Sequence, residues 1–352
     1  MSGSDSLALF CRYAENGASS RLRFFRYLPF FRAAGVGVEI HSFFDAPYLE
    51  RLYAGKGRSL PALFRGIWRR KKELAHLPCH VPLFIEYELF PMLWSWCDLR
   101  ALKKRKYFLN FDDPVWEKYA KIPTLRNKYD TLAKHAAGIV AANDLIVERF
   151  SKLNRNILKV PTAIDLDRYD AAPKEKFSRF TIVWIGSPAT FGYLTAFQPT
   201  LKKMAASCDF ELLIIGKSTW GALPGVPSRS VEWSEESEAE LISRSHLGIM
   251  PLPDESFAKG KSAYKLIQYA GAGLPALGAP VGENCQVISD CETGFLCRTA
   301  AEWCSRLREL AENEKLRFEM GKRAREKAEM WSLKRNAEKL LSFLLQDREP
   351  FK

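Results

Sequence analysis

Residues 247–282, LGIMPLPDESFAKGKSAYKLIQYAGAGLPALGAPVG, decide the fold. They open on Leu247-Gly248-Ile249-Met250-Pro251-Leu252, an apolar run of the length expected for a buried parallel strand. After a polar loop, Gly260-Lys261-Ser262 enters a helix with apolar positions Leu266, Ile267, Tyr269 and Ala270, which Gly273 and Pro275 stop. Backbone N–H groups at such a helix start are unpaired and carry partial positive charge, so they favour a phosphate. Lys261 and Lys265 would add full charges beside it. Strand–loop–helix units occur in any α/β protein and lysines on a helix often form only a solvated face. On these grounds alone, phosphate binding and a plain surface stand level. A Walker loop is set aside, because GxxxxGK needs glycine where the chain has Glu255.

Outward from this unit the βα alternation continues. Apolar runs at Phe180–Ile185, Phe210–Gly216, Ser230–Trp233 and Ala276–Gly278 read as further strands. Pro199–Ala206 and Glu236–Ser245 read as helices between them, and residues from Ala300 onward as helical. A first series begins with Leu7-Ala8-Leu9-Phe10, a loop through Gly17 to Arg21, and a helix carrying Leu22, Phe25, Leu28 and Phe31 that Pro29 should kink. Strands at 36–40, 83–85, 106–109 and 138–141 follow. Right-handed βαβ crossovers imply parallel sheets. The alternation predicts an α/β protein of two Rossmann-like domains facing across a cleft. The expected division is an N-terminal domain at 1–160, a proline- and charge-rich linker at 161–178, and a C-terminal domain at 179–330.

The residues of the opening stretch also carry a resemblance. Gly260-Lys261, Lys265-Leu266, Gln268-Tyr269-Ala270 and Gly273-Leu274-Pro275, then Pro280-Val281-Gly282 and Asn284, resemble the donor-binding segment of family-4 retaining glycosyltransferases, which are GT-B enzymes. Trp184-Ile185-Gly186-Ser187-Pro188 with Thr190, Thr293-Gly294-Phe295-Leu296, Leu316-Arg317 with Met320-Gly321, and Gly17-Ala18-Ser19-Ser20-Arg21 extend it, densely in the C-terminal half and thinly in the N-terminal one. The resemblance implies the GT-B arrangement, a final helix within 331–352 crossing back to the first domain, and a nucleotide-sugar donor. It departs from the family at two positions. Where the segment usually carries two glutamates eight residues apart, this chain has Gly260 and Gln268.

Ligands of open α/β sheets bind beyond the carboxyl ends of the strands. That rule gathers the loops after Phe10, Leu109, Ile185 and Leu252. The donor-binding candidates are Gly17, Arg21, Gly186, Ser187, Lys261, Ser262, Lys265, Leu266 and Gln268. Gly17 lets a phosphate approach the backbone, and Arg21 offers a forked donor. The resemblance implies a ribose contact for Gln268, whose amide can both accept and donate. The catalytic candidates are Asp112 and Asp113, adjacent carboxylates at a strand end in the acceptor half. Either could orient an acceptor hydroxyl or help a developing sugar cation; equally, Asp113 before Pro114 could cap a turn. Many relatives carry a histidine in about this place, which is not matched here.

The resemblance implies transfer of a hexose with retention from a nucleotide-diphosphate sugar to a glycan or lipid-linked acceptor, in cell-surface polysaccharide or glycoconjugate biosynthesis. A catalytically silent GT-B scaffold, or another nucleotide-sugar enzyme such as an epimerase, stands as the alternative. No cofactor or metal is expected: Cys285, Cys291, Cys297 and Cys304 are too widely spaced for the usual zinc-ligand pairs. The first twenty residues lack a signal-peptide pattern, and no apolar run is long enough to span a membrane, so a cytoplasmic protein is expected. Of a net charge of +12, residues 1–175 hold +10, with 29 Lys and Arg against 19 Asp and Glu. The runs Arg69-Arg70-Lys71-Lys72 and Lys103-Lys104-Arg105-Lys106 stand out. They make an anionic membrane surface a candidate partner at the inner face of the membrane. Phe90, Trp94 and Trp96 suit an interfacial contact but are read first as core. No recognition-helix, zinc-finger or RNP-type signature points to nucleic acid.

Overall fold

The computed structural model describes residues 6–345, which divide into two compact units. The first runs through Ala163 and takes up the chain again at Leu333; the second is Ile164–Ser332.

The first unit is built on β1 (Ser6–Tyr13), β2 (Gly37–Phe44), β3 (Leu83–Glu86), β4 (Tyr107–Phe111), β5 (Gly138–Ala141) and β6 (Ile157–Lys159). All pairs are parallel, in the order β2-β1-β3-β4-β5-β6. Alternate residues enter opposite layers, as strand geometry requires. Phe10, Ile85, Leu109 and Ile139 join one core; Leu9, Phe84, Phe108 and Val140 join the other. The helix Leu333–Leu344 supplies Leu333, Ala337, Leu340 and Phe343 to this second layer, so the end of the described chain is part of the first unit's core. The expected helix over 22–31 is broken in two. Pro29 sits in the first turn of Leu28–Ala33, where its missing N–H costs nothing, and a single 3₁₀ turn, Phe25–Tyr27, separates that helix from Ala18–Arg23.

The second unit is built on β7 (Thr181–Ile185), β8 (Glu211–Gly216), β9 (Ser228–Glu232), β10 (Leu247–Met250), β11 (Ala276–Gly278) and β12 (Gly294–Leu296). These are again all parallel, in the order β12-β11-β10-β7-β8-β9. Val183, Ile185 and Leu213 face one layer, and Ile182, Trp184 and Leu212 the other. The helix expected at 236–245 is Glu235–Ser243. Ser234 caps it by accepting from the Ser237 N–H at 3.1 Å, and three glutamates occupy its first turn.

Part of the stretch read as a linker is structured inside the second unit. The Ile164 N–H donates to the Trp331 carbonyl at 2.8 Å, and Leu166 and Tyr169, on the short helix Leu166–Asp170, are core residues. Lys176 donates to the Ser243 and Ser245 carbonyls at 2.7 and 2.8 Å.

Each sheet has one point where the chain reverses direction across it: between β1 and β3 in the first, and between β7 and β10 in the second. Loops leaving adjacent strands part there, which is where open α/β sheets hold ligands.

Candidate functional site

In the second unit, β7 and β10 end side by side at the reversal point. After β7, Gly186 leads to Ser187, which begins the helix Pro188–Ala196. A Cβ on Gly186 would lie 2.3 Å from the Trp184 ring and 2.6 Å from Thr190 Oγ1, so only glycine fits there. Beneath this turn Trp184, Phe191 and Trp220 cluster, with the Phe191 and Trp220 rings stacked at 4.0 Å.

After β10, the turn Ser256–Lys259 and residues 260–262 lead to Ala263, held in the left-handed region at φ 49° directly before the helix Tyr264–Gly271. Lys265 places its ammonium 5.3 Å from the centre of the Trp184 ring. Lys261 lies 4.7 Å from that of Phe257 and 6.0 Å from that of Tyr193, on the helix that follows β7. Gly186, Ser187, Lys261, Ser262 and Lys265 are thus gathered by two adjacent strand ends. Gly282 is required below them: at φ 55° its Cβ would sit 2.2 Å from the Lys259 carbonyl oxygen.

Leu266 and Gln268 are placed differently. Leu266 is in the core, and Gln268, 3% exposed, donates from Nε2 to the Tyr169 hydroxyl at 3.1 Å. Residues 266–271 are all buried, so this helix has no solvent-facing phase over that stretch, and the Gln268 amide is engaged inside the unit. Asp254, on the loop after β10, pairs with Lys259 at 2.8 Å.

In the first unit the same edge is lined with buried ionisable groups. Glu86 ends β3, and its Oε2 accepts from the Ser20 hydroxyl at 2.5 Å and the Arg12 N–H at 2.7 Å. Ser20 Oγ in turn accepts from the Tyr13 N–H, so the end of β1 and the helix Ala18–Arg23 are stapled to β3. Tyr87 follows in the left-handed region at φ 65°, and its hydroxyl donates to Asp112 Oδ1. Burial, then Asp113 and Glu86, push the Asp112 carboxyl up to about 7, opposed by the Arg23 guanidinium. Arg23 forks onto Asn110 Oδ1 at 2.8 and 3.0 Å and donates to the Val160 carbonyl. The turn after Asp113, Val115–Lys118, starts at Pro114 with no side-chain cap. Gly17 is buried and needed for packing, since its Cβ would lie 2.4 Å from that of Tyr13; Arg21 is 8% exposed.

Deeper in the same unit, Glu88 meets Lys128 at 2.7 Å and Arg12 at 3.2 Å, and accepts from the Tyr119 and Tyr129 hydroxyls. Lys128 also pairs with Asp98 at 3.0 Å and donates to the Phe90 carbonyl. Asp98 accepts from the Leu89 and Phe90 N–H groups, so the loop leaving β3 is held by a buried ion cluster. Burial alone would lower the Lys128 pKa, but Glu88 and Asp98 hold it above the ordinary lysine value. Burial raises the Asp98 carboxyl to about 6 despite Lys128. None of Arg12, Glu86, Tyr87, Glu88, Asp98 and Lys128 is among the sequence candidates. The available signal was Glu86 and Glu88 directly after the apolar run of β3, carboxylates at a strand's carboxyl end. Among the described residues no group of three or more His, Cys, Asp or Glu side chains is placed to hold a metal ion.

No protein-family model matches the chain, and no curated protein matches it. Solved structures do. Sucrose-phosphate synthase from Thermosynechococcus elongatus superposes with a TM-score of 0.69 at 14% identity, over 97% of this chain and 98% of that one. WaaG, a glycosyltransferase involved in lipopolysaccharide biosynthesis, gives 0.68 at 16% identity, over 97% and 100%. HepE from Anabaena, in complex with UDP, gives 0.65 at 12% identity, over 97% and 99%. The chain has the GT-B fold of these glycosyltransferases.

Proposed function

We propose that the protein is a glycosyltransferase that moves a hexose, with retention, from a nucleotide-diphosphate sugar to a glycan or lipid-linked acceptor in cell-surface polysaccharide or glycoconjugate biosynthesis. One observation carries the reading. Two strand ends of a GT-B second unit bring Gly186, Ser187, Lys261 and Lys265 together where the sheet reverses, an arrangement suited to a diphosphate. HepE, a protein of the same fold, holds UDP, and in another structure UDP-glucose.

In this reading the Gly186–Ser187 turn and Ser262 offer backbone N–H groups to the diphosphate, and Lys261 and Lys265 neutralise it without a metal or other cofactor. Leu266 and Gln268, on the same helix, complete the donor-binding set, with Gln268 toward the ribose. Charge developing on the leaving phosphate is stabilised by these fixed donors, and that phosphate accepts the proton of the acceptor hydroxyl. Asp112, kept near its midpoint at neutral pH beside Asp113, orients the acceptor hydroxyl. The acceptor's site of action is the cytoplasmic side of a membrane. No helix among the described residues is long and apolar enough to cross one.

One observation favours a silent scaffold instead: Gly260 has no side chain, and the Gln268 amide is occupied by Tyr169. A thermal-shift screen against UDP-, GDP-, ADP-, CMP- and dTDP-linked sugars separates the cases, because a ligand stabilises the fold that binds it. Stabilisation by one nucleotide-sugar, with transfer to an added acceptor, is the expected result. Stabilisation without transfer to any acceptor or to water supports the scaffold, and no stabilisation by any of them removes the donor site.

A further inference from the structure

Eight large hydrophobic side chains are exposed among the described residues, and six of them lie between Leu60 and Trp96 of the first unit. Leu60, Phe64 and Trp68 are four residues apart on the helix Leu60–His76, which places them along one side of it, each more than 60% exposed. The opposite side packs inward. A Cβ on Gly66 would meet the Phe43 ring at 2.6 Å. Trp94 and Trp96, at the start of the helix Ser95–Leu102, are 49% and 58% exposed and stack on each other at 6.0 Å. Their outward position overturns the core reading of both tryptophans, whereas Phe90 is buried. A cavity of about 580 Å³ lies between the two helices, with Leu74, Phe90, Leu93 and Trp96 on its walls and Lys71 and Arg100 at its margin.

The charges of this face have one sign. Between Lys71 and Lys104 every exposed charged side chain is cationic: Lys71, Lys72, Arg100, Lys103 and Lys104. The acids of the two helices turn inward, Glu73 to Arg70 and His41, and Asp98 to Lys128. The two basic runs are therefore not uniform surfaces. Arg70 is 1% exposed and bonds the Cys11 carbonyl, Arg69 bonds those of Ser42 and Phe43, and Arg105 closes the end of the helix Leu60–His76 through the carbonyls of Leu74 and Leu77. What remains outside is a smaller set of lysines and Arg100, interleaved with tryptophan. Lys72 holds its ammonium 3.8 Å from the centre of the Trp68 ring.

We propose that this face docks on an anionic lipid bilayer. Trp68, Trp94 and Trp96 enter the headgroup layer, the lysines meet the lipid phosphates, and one acyl chain enters the cavity between the helices. Tryptophan favours that depth because one end of its ring system is apolar and the other donates a hydrogen bond. A second copy is the poorer occupant, because two-fold pairing would set the same cationic patch against itself. The proposal deepens the membrane part of the functional reading, but its test uses no sugar nucleotide, so either can fail without the other.

The test is flotation with phosphatidylcholine vesicles, with and without phosphatidylglycerol, at low and high salt. Binding is expected only with phosphatidylglycerol, and to weaken as salt shortens the Debye length. Replacing Lys71, Lys72, Lys103 and Lys104 with glutamine should weaken it by about a hundredfold or more, since each basic residue near such a surface contributes roughly 1 kcal/mol. The variant Phe64→Ser/Trp68→Ser/Trp96→Ser should lose binding by about tenfold or more with an unchanged melting temperature, because these side chains are exposed already. Brominated acyl chains should quench a component of the tryptophan emission that is missing in Trp96→Phe. No binding to phosphatidylglycerol vesicles at low salt overturns the proposal, as does full binding by the folded serine variant. A concentration-dependent dimer abolished in that variant would assign the face to a second copy instead. Quenching unchanged in Trp96→Phe would remove the acyl chain from the cavity.

Discussion

The carboxyl edges of the two sheets are built by the same rule and furnished in opposite ways. In the first unit Glu86, Glu88, Asp98, Asp112, Arg23 and Lys128 are each less than a tenth exposed; Lys128 pairs with Glu88 and Asp98, and the others bond polar neighbours such as Ser20, Asn110 and Tyr87. In the second, the only buried charged residues among those described are Glu238 and Glu283, and the edge offers small residues and lysines laid against aromatic rings. The first edge has already met the cost of desolvating its charges and depends on its own pairing. The second presents positive charge of the sign that suits a diphosphate. A mutation should therefore act through folding at one edge and through ligand affinity at the other.

The largest contrast is between two lysines. Lys128→Met leaves Glu88 and Asp98 buried without their shared cation, and is expected to cost about 3–5 kcal/mol of unfolding free energy in urea. Lys265→Met, at a half-buried position against the Trp184 ring, should change stability by about 0.5 kcal/mol or less. Equal effects would erase the distinction between the edges.

A smaller effect concerns pH. The folded Asp112 carboxyl titrates near 7 against an ordinary 3.8, so between those values the native state binds the extra proton. Its contribution thus weakens the fold as pH rises from about 4 to about 7. Asparagine keeps an acceptor for Tyr87 and carries no charge. Asp112→Asn should therefore gain on the wild type by on the order of 1–3 kcal/mol between pH 5 and pH 8. Taken as a difference between the two proteins, the opposing trend of His246, held down to about 4 chiefly by burial, cancels. A gap that is flat with pH would show that Asp112 ionises normally.

The fold was legible because apolar runs alternate with helical stretches, and ten of the twelve strands stood out. The two that did not, β6 and β12, are three residues long and lean on neighbours for their hydrogen bonds. The two pieces of the second unit's edge stood out in the sequence too, since each, Gly186-Ser187 and Lys261 to Lys265, is a short stretch following an apolar run. The ion cluster of the first unit was not, because Glu88, Asp98 and Lys128 come from separate elements and only the tertiary fold pairs them. Gln268 illustrates a different limit. The resemblance marks it as a ribose contact, and only the tertiary fold shows that it lies on a helix buried over 266–271 with its amide donating to Tyr169. The basic runs misled in the same way, since sequence cannot say which arginines turn inward to cap a helix or bond strand carbonyls.

The division of labour between the edges is tested most directly by calorimetry and turnover, measured side by side on Lys265→Ala and Asp112→Asn with the nucleotide-sugar that stabilises the wild type. Lys265→Ala is expected to lose donor affinity by about tenfold or more, because it removes a full charge from the diphosphate. Asp112→Asn should bind the donor as the wild type does and turn over about a hundredfold more slowly, the typical loss when one reacting-site group is removed. Unchanged donor affinity in Lys265→Ala, or lost donor affinity with normal turnover at saturation in Asp112→Asn, would contradict the account.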